Sequence, residues 1–176
     1  PVVMKGSAPA IQHKTDAGLV LLRIGDETEV REAYRTLEAR AAAAGAALDG
    51  VLVEHMVTGK REFVVGLVRD LLFGPVVMFG LGGIFVEVLK DVAFRCVPLT
   101  DRDLEGMVRE IRGFPILQGT RGRAPKDIAA VKDILARVGQ MGGDCPAIQE
   151  VDLNPVIVHP KGATIVDARV ILRPAG

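Results

Sequence analysis

The chain has 176 residues, 49% hydrophobic and 25% charged, the balance of a globular protein with one full core or two small lobes. Lys plus Arg and Asp plus Glu number 22 each, with one Tyr and no Trp. That excludes a basic field or a base-stacking platform for nucleic acid, and a basic face for anionic membrane. Cys96 and Cys145 are too few and too far apart for a disulfide framework or a zinc site. No apolar run reaches the roughly 18 residues of a membrane span, and no signal-peptide pattern is present. These features point to a cytoplasmic protein with reduced thiols. The chain lacks an initiator Met and opens inside an apparent strand, so the expectation is a fragment whose preceding segment is missing.

In chain order, residues 2–5 and 19–24 read as buried strands. Asp26 with Glu29 reads as a capping box opening a helix whose apolar face is Val30, Tyr34, Leu37 and Ala41, and which stops at Gly45. VLVEHMV (51–57) and EFVVGLVRD (62–70) read as a hairpin turned by TGKR. An apolar strand at 75–80 runs into GLGG, followed by strands at 84–90 and 93–98. Thr100 with Asp103 caps a second helix ending at Gly113. A third spans about 126–141 on Ile128, Val131, Ile134, Leu135, Val138 and Met141. The chain closes with strands EVDLN, VIVH and TIVDARV, the last two joined by a turn at Pro160–Gly162. Interleaved helices and tightly turned strands predict an α/β, mixed α+β chain with mixed sheets. The expected division is a small lobe, 1–50, and a larger one, 51–176.

Several residues carry chemical potential beside a plainer explanation. Lys5 ends a strand, where it can present a compact cation to a phosphate or remain a solvated strand end. Gly80, Gly82 and Gly83 follow a strand, where main-chain N–H groups can approach an anion, or where a hairpin simply turns. The spacing is neither a P-loop nor a dinucleotide fingerprint. Asp152 and Asn154 close one strand, and the hairpin beyond can bring Asp167 beside Asn154. An Asn carbonyl and an Asp carboxylate suit magnesium, which takes its remaining ligands from water and phosphates. An Asx turn before Pro155 is the alternative. Arg121 and Arg123 can bind phosphate but need no ligand as loop charges. His55 and His159 read as structural.

Together, PVVMK, HKTDAG, VLVEHMVTGKREF, FGPVVMFGLGGIFVEVLKD and VDLNPVIV…IVDARV resemble the ATP-grasp domain of NDP-forming acyl-CoA synthetases. That group includes ADP-forming acetate–CoA ligase and is related to the succinyl-CoA synthetase β subunit. The resemblance implies an ATP-grasp fold of two lobes whose N-terminal part is missing, the small lobe carrying a histidine loop. It implies Lys5 as the phosphate lysine, with Glu54 and the main chain of Val53, Glu54, His55 and Met56 as the adenine and ribose hinge. Asn154 and Asp167 match the magnesium ligands, and Asp152 the acid beside the transferred phosphoryl group. His13 matches a transiently phosphorylated histidine. The implied cofactors are ATP/ADP and Mg2+. The implied partner is a CoA-binding ligase subunit or fused domain that handles the acid and CoA, and this chain alone is expected to be inactive. Relatives carry a second glycine after HKTD where this chain has Gly18-Leu19. A catalytically silent regulatory domain, as in a fusion with a protein acetyltransferase, is the alternative that the joint presence of His13, Asn154 and Asp167 argues against. Another ATP-grasp carboxylate ligase would leave HKTD unexplained.

Overall fold

The structure, a computed structural model, describes the chain except residues 12–13, 60–61, 84–89, 120–121, 123 and 175–176. It divides into two compact units, Pro1–Thr58 and Gly59–Gly176. Every strand pairing among the described residues is antiparallel, so the sheets are not mixed in direction.

In the first unit, β1 (Val2–Ser7), β2 (Val20–Ile24) and β3 (Gly50–His55) form a sheet in the order β2-β1-β3. Helix α1 (Glu27–Ala43) packs against it. The Asp26 carboxylate accepts the Glu29 N–H at 2.9 Å, while the Glu29 carboxylate takes the Gly25 N–H at 2.6 Å. The reciprocal arm of the expected box therefore lands one residue before the cap. The helix buries Ala33, Leu37 and Ala41, an i, i+4 stripe that closes on Met4 and Leu19. Tyr34, expected on that face, is rotated off it and is 43% exposed. Small alanines let the helix approach the sheet where a tyrosine would hold it away.

β3 pairs with β1 over six positions, from Val2↔His55 to Ser7↔Gly50. The expected 51–57/62–70 hairpin does not form, because its two strands belong to different sheets. The unit boundary accordingly lies at Thr58, not near residue 50. Alternation marked both strands correctly but carries no information about which neighbour each one takes.

In the second unit, β4 (Glu62–Asp70), β5 (Gly74–Leu81), β6 (Val92–Cys96), β7 (Ile148–Val158) and β8 (Ala163–Ile165) form a sheet in the order β6-β5-β4-β7-β8. β9 (Ala168–Leu172) pairs with the first half of β7. The segments read as two strands, EVDLN and VIVH, are one continuous β7 through a cis Asn154–Pro155 peptide. The strand expected at 84–90 falls on 84–89, outside the described residues. Three helices follow β6: α2 (Asp101–Glu110), α3 (Phe114–Gln118) and α4 (Ile128–Asp144).

Alternation splits this sheet into two faces. Phe63, Val65 and Leu67 of β4, Val77 and Phe79 of β5, and Val151 and Leu153 of β7 join Met107, Val108, Val131 and Leu135 from α2 and α4 in one core. The Phe63 and Phe79 rings stack with centroids 5.6 Å apart. Each such buried side chain contributes about 1.5–3 kcal/mol relative to exposure. Thr100 and Asp103 form the expected box, but α2 ends at Glu110, where Ile111 turns extended. The buried Asp91 carboxylate then takes the N–H groups of Arg112 (2.6 Å) and Gly113 (2.8 Å), and a separate short helix begins. Met141 lies on the rim of α4, whereas Gly139 and Gly142 are buried. A Cβ on Gly142 would collide with the Leu67 side chain, so glycine sets how closely α4 lies on the sheet.

Arg69 on β4 ties the end of α4 to the sheet. Its guanidinium donates to the carbonyls of Gly142 (2.7 Å), Ile148 (3.0 Å) and Cys145 (3.2 Å). Gly142 lies in the last turn of α4 and Cys145 is its C-cap, so two of the three acceptors are helix-end carbonyls. Arg69→Met is expected to lower stability by about 1.5–3 kcal/mol, the range for hydrogen bonds to a charged group. Urea unfolding checks this, and an unchanged midpoint would contradict it.

Candidate functional site

The two units contribute separate sets of functional side chains. In the first, alternation places Val3 and Lys5 on the face of β1 opposite Met4, which faces α1. Glu54 stands directly across from Val3, diagonal to Lys5. The Lys5 ammonium meets the Glu54 carboxylate at 2.6 Å, with the lysine only 6% exposed. A buried ammonium without a counter-charge would be strongly destabilising, so the lysine's position depends on the pair. Sequence reading had assigned both residues to one ligand but had not foreseen their mutual contact. The main chain of Val53, Glu54 and His55 pairs with β1, and the Met56 N–H donates to Pro1 O at 3.2 Å. Among the described residues β3 is an edge strand of its sheet, so the main-chain groups of residues 53–55 that do not pair with β1 lie on its outer edge.

His13 lies outside the described residues, as do Arg121 and Arg123. The turn that follows His13 is closed through the main chain: Gly18 N–H donates to Thr15 O (3.0 Å) and Leu19 N–H to Lys14 O (2.7 Å). Gly18 adopts φ +66°, which suits glycine, and its carbonyl accepts from Arg40 at 2.6 Å. The base of the loop is thereby anchored to α1.

In the second unit the sheet face turned away from α2 and α4 holds the remaining candidates. The register sets out one row across it: Arg169, Asp152, Gly66, Met78 and Phe94. The next row has Glu150 opposite Val68, which faces Val76. This face therefore has an apolar side, including a half-exposed Phe94, and an acid-rich side. Leu153 pairs with Ala168, and one step further the Asn154 N–H donates to Asp167 O at 3.1 Å. Asn154 and Asp167 thus sit side by side, as their hairpin spacing predicts. Asp167 lies in the short bend between β8 and β9, not inside a long return strand.

Two oxygen-bearing side chains, Asn154 on β7 and Asp167 in the adjoining bend, fit magnesium, a hard cation that keeps water and phosphate oxygens for its other positions. Among the described residues no group of three or more His, Cys, Asp or Glu is spaced to hold a metal, and a two-ligand magnesium site needs none. Burial raises the Asp152 carboxyl above its ordinary pKa. Arg169 opposes the rise, and the charges of Glu150 and Asp167 add to it.

The glycine run has a packing role. A Cβ on Gly80 would come within 2.6 Å of Asp91 O, and the Gly82 N–H already donates to Glu62 O at 2.8 Å. Gly83 takes φ +65°. Close backbone approach accounts for Gly80 without a ligand. His159 is structural as expected, its Nε2 lying 3.0 Å from Thr164 Oγ1. Glu150 and Arg169 escaped sequence reading. Their signal was present as period-two spacing from Asp152 and Asp167.

The family model described as the ATP-grasp domain matches residues 1–172. The chain is 49% identical over 174 residues to the β subunit of ADP-forming acetate–CoA ligase I from Pyrococcus furiosus, covering 98% of this chain and 75% of that one. It is 46% identical to ADP-forming acetate–CoA ligase I of Archaeoglobus fulgidus, of which it spans 25%. A structure of a Ca. Korarchaeum cryptofilum acetyl-coenzyme A synthetase with coenzyme A, Ca-AMPCP and HgCl+ superposes with a TM-score of 0.94 at 46% identity, covering 98% of this chain and 76% of that one. Another structure of that enzyme, with coenzyme A and Mg-AMPPCP, has its phosphohistidine segment pointing towards the nucleotide binding site; its TM-score is 0.86 at 45% identity, with the same coverage. The chain belongs to the ATP-grasp family, in the branch of the ADP-forming acetate–CoA ligases.

The raised Asp152 pKa has a consequence for stability. A carboxyl that holds its proton more tightly when folded is stabilising in its protonated form, and that stabilisation is lost as pH rises through the folded pKa. In the ligand-free protein Asp152→Asn is expected to raise the melting temperature at pH 7, with the gain shrinking as pH falls into the carboxylate range. A lower melting temperature for the variant at pH 7 would contradict this.

Proposed function

We propose that this chain is the nucleotide-binding, phosphoryl-transfer component of an ADP-forming acid–CoA ligase, which converts acid, ATP and CoA to acyl-CoA, ADP and phosphate. One observation carries the reading: antiparallel pairing sets Asn154 beside Asp167 on the sheet face that also bears Asp152. The Mg-AMPPCP complex of the Korarchaeum enzyme supports ATP/ADP and Mg2+ as the cofactors of this chain. Magnesium held by Asn154 and Asp167 would offset charge on the transferred phosphoryl group. Lys5 provides a cation whose charge is balanced by Glu54 until phosphate arrives. Glu54 and the main chain of residues 53–56 form the adenine and ribose hinge.

His13 serves as the phosphoryl carrier. In the ATP-forming direction the phosphorus–nitrogen bond on the partner's histidine breaks as one to His13 forms, and the group then passes to ADP. A neutral imidazole accepts it near pH 7 because its ordinary pKa is about 6.5. The phosphohistidine segment of the Korarchaeum enzyme supports the assignment. Gly18, anchored through Arg40, gives that loop a fixed base from which to swing. The partner is a CoA-binding subunit or fused domain; β-subunit and single-chain relatives support both arrangements. No helix among the described residues is long and apolar enough to cross a membrane, consistent with action in the cytoplasm.

The test uses the complete enzyme with its CoA-binding partner. His13→Ala is expected to abolish ATP formation from acyl-CoA, ADP and phosphate while the partner's histidine is still phosphorylated. Wild-type turnover in the variant would remove His13 from the relay.

A further inference from the structure

Glu150, Asp152 and Asn154 alternate along β7 and share the open face, and Arg169 of β9 stands directly opposite Asp152 there. Its Nη2 donates to Glu150 Oε1 at 2.8 Å, engaging one of the five guanidinium donors. Both side chains remain partly solvated, at 42% and 37% exposure, so the pair adds little to folding by itself. On the other side of Asp152 the β4 neighbour is Gly66, where even a Cβ would lie 3.3 Å from the Met78 side chain. The Met78 side chain therefore lies over Gly66 beside Asp152.

Charge is the difficulty of this patch. Glu150, Asp152 and Asp167 gather three carboxylates where the proposed ligand is itself a polyanion. Arg169 is within two residues of Asp167 and diagonal to Asn154, while its guanidinium leans the other way along β7 to Glu150, so a swing past Asp152 would bring it to the place where terminal phosphates would lie. A planar fork matches phosphate oxygens two at a time, which a lysine point charge does not.

We propose that Arg169 is a substrate-contacting residue, donating to the terminal phosphates of the nucleoside triphosphate, with Glu150 holding its guanidinium until the nucleotide binds. This rests on the nucleotide reading above. The two are separated by titrating the complete enzyme with Mg-AMPPCP and, separately, with AMP. Arg169→Met is expected to weaken Mg-AMPPCP binding ~10–100-fold, the equivalent of one hydrogen bond from a charged group, and to leave AMP affinity unchanged. Unchanged Mg-AMPPCP binding would overturn the proposal. So would equal weakening of both ligands with a lower melting temperature, since the Glu150 pair would then only pin β9. If Arg169→Met does not fold, Arg169→Lys decides: the same selective loss at smaller amplitude supports the contact, and none overturns it. A wild-type enzyme that binds no Mg-AMPPCP would instead remove the nucleotide reading itself.

Discussion

The register between β7 and β9 is the constraint on which the candidate site depends. β7 is hydrogen-bonded to β4 along one edge and to β8 and β9 along the other. The Asn154–Asp167 main-chain bond continues that ladder past the end of β9. A one-residue slip of β7 would turn Asp152 towards the core and bring Val151 and Leu153 out, and a slip of β9 alone would take Arg169 off the open face. Burial of Val151 and Leu153 against α4 therefore also aims the acidic residues at the open face. Packing on one side of the strand sets the chemistry on the other.

The same division explains why the site is costly to the ligand-free protein. Asp152 is held where burial and neighbouring carboxylates oppose its charge, and Lys5 is buried with the Glu54 carboxylate 2.6 Å from its ammonium. Neither arrangement is the most stable use of those positions. In the proposed function a metal ion would offset the Asp152 charge, and phosphate would offset that of Lys5. For Asp152 the offset comes from its own sheet, where the stacked Phe63 and Phe79 and the Arg69 tether stabilise the second unit.

Much of the architecture was legible in the residues. The strands announced themselves by alternation, and Thr100 with Asp103 capped α2 as their spacing demanded. Asn154 and Asp167 met because a tight turn at Pro160–Gly162 leaves a hairpin few other geometries. What failed was non-local. β3 and β4 carry the same alternating pattern, and only packing decides that β3 joins β1 while β4 joins β5 and β7. The face of α1 was misjudged because Tyr34 outweighs Ala33 on any hydrophobicity count, although the alanine fits the close approach. The Lys5–Glu54 contact joins residues 49 positions apart (54 − 5) and depends on that same β1–β3 pairing. Glu150 and Arg169 were hidden differently, as ordinary surface charges whose shared face appears only once the register is known.

The central claim, that Asn154 and Asp167 hold the metal serving phosphoryl transfer, is open to direct observation. Manganese can replace magnesium and scatters anomalously, so crystals of the complete enzyme grown with Mn2+ and AMPPCP would locate it. The account predicts an anomalous peak within about 2.1–2.3 Å of a side-chain oxygen from each residue, with nucleotide phosphate oxygens filling part of the remaining shell. A peak coordinated elsewhere, with Asn154 and Asp167 both outside its coordination shell, would contradict it.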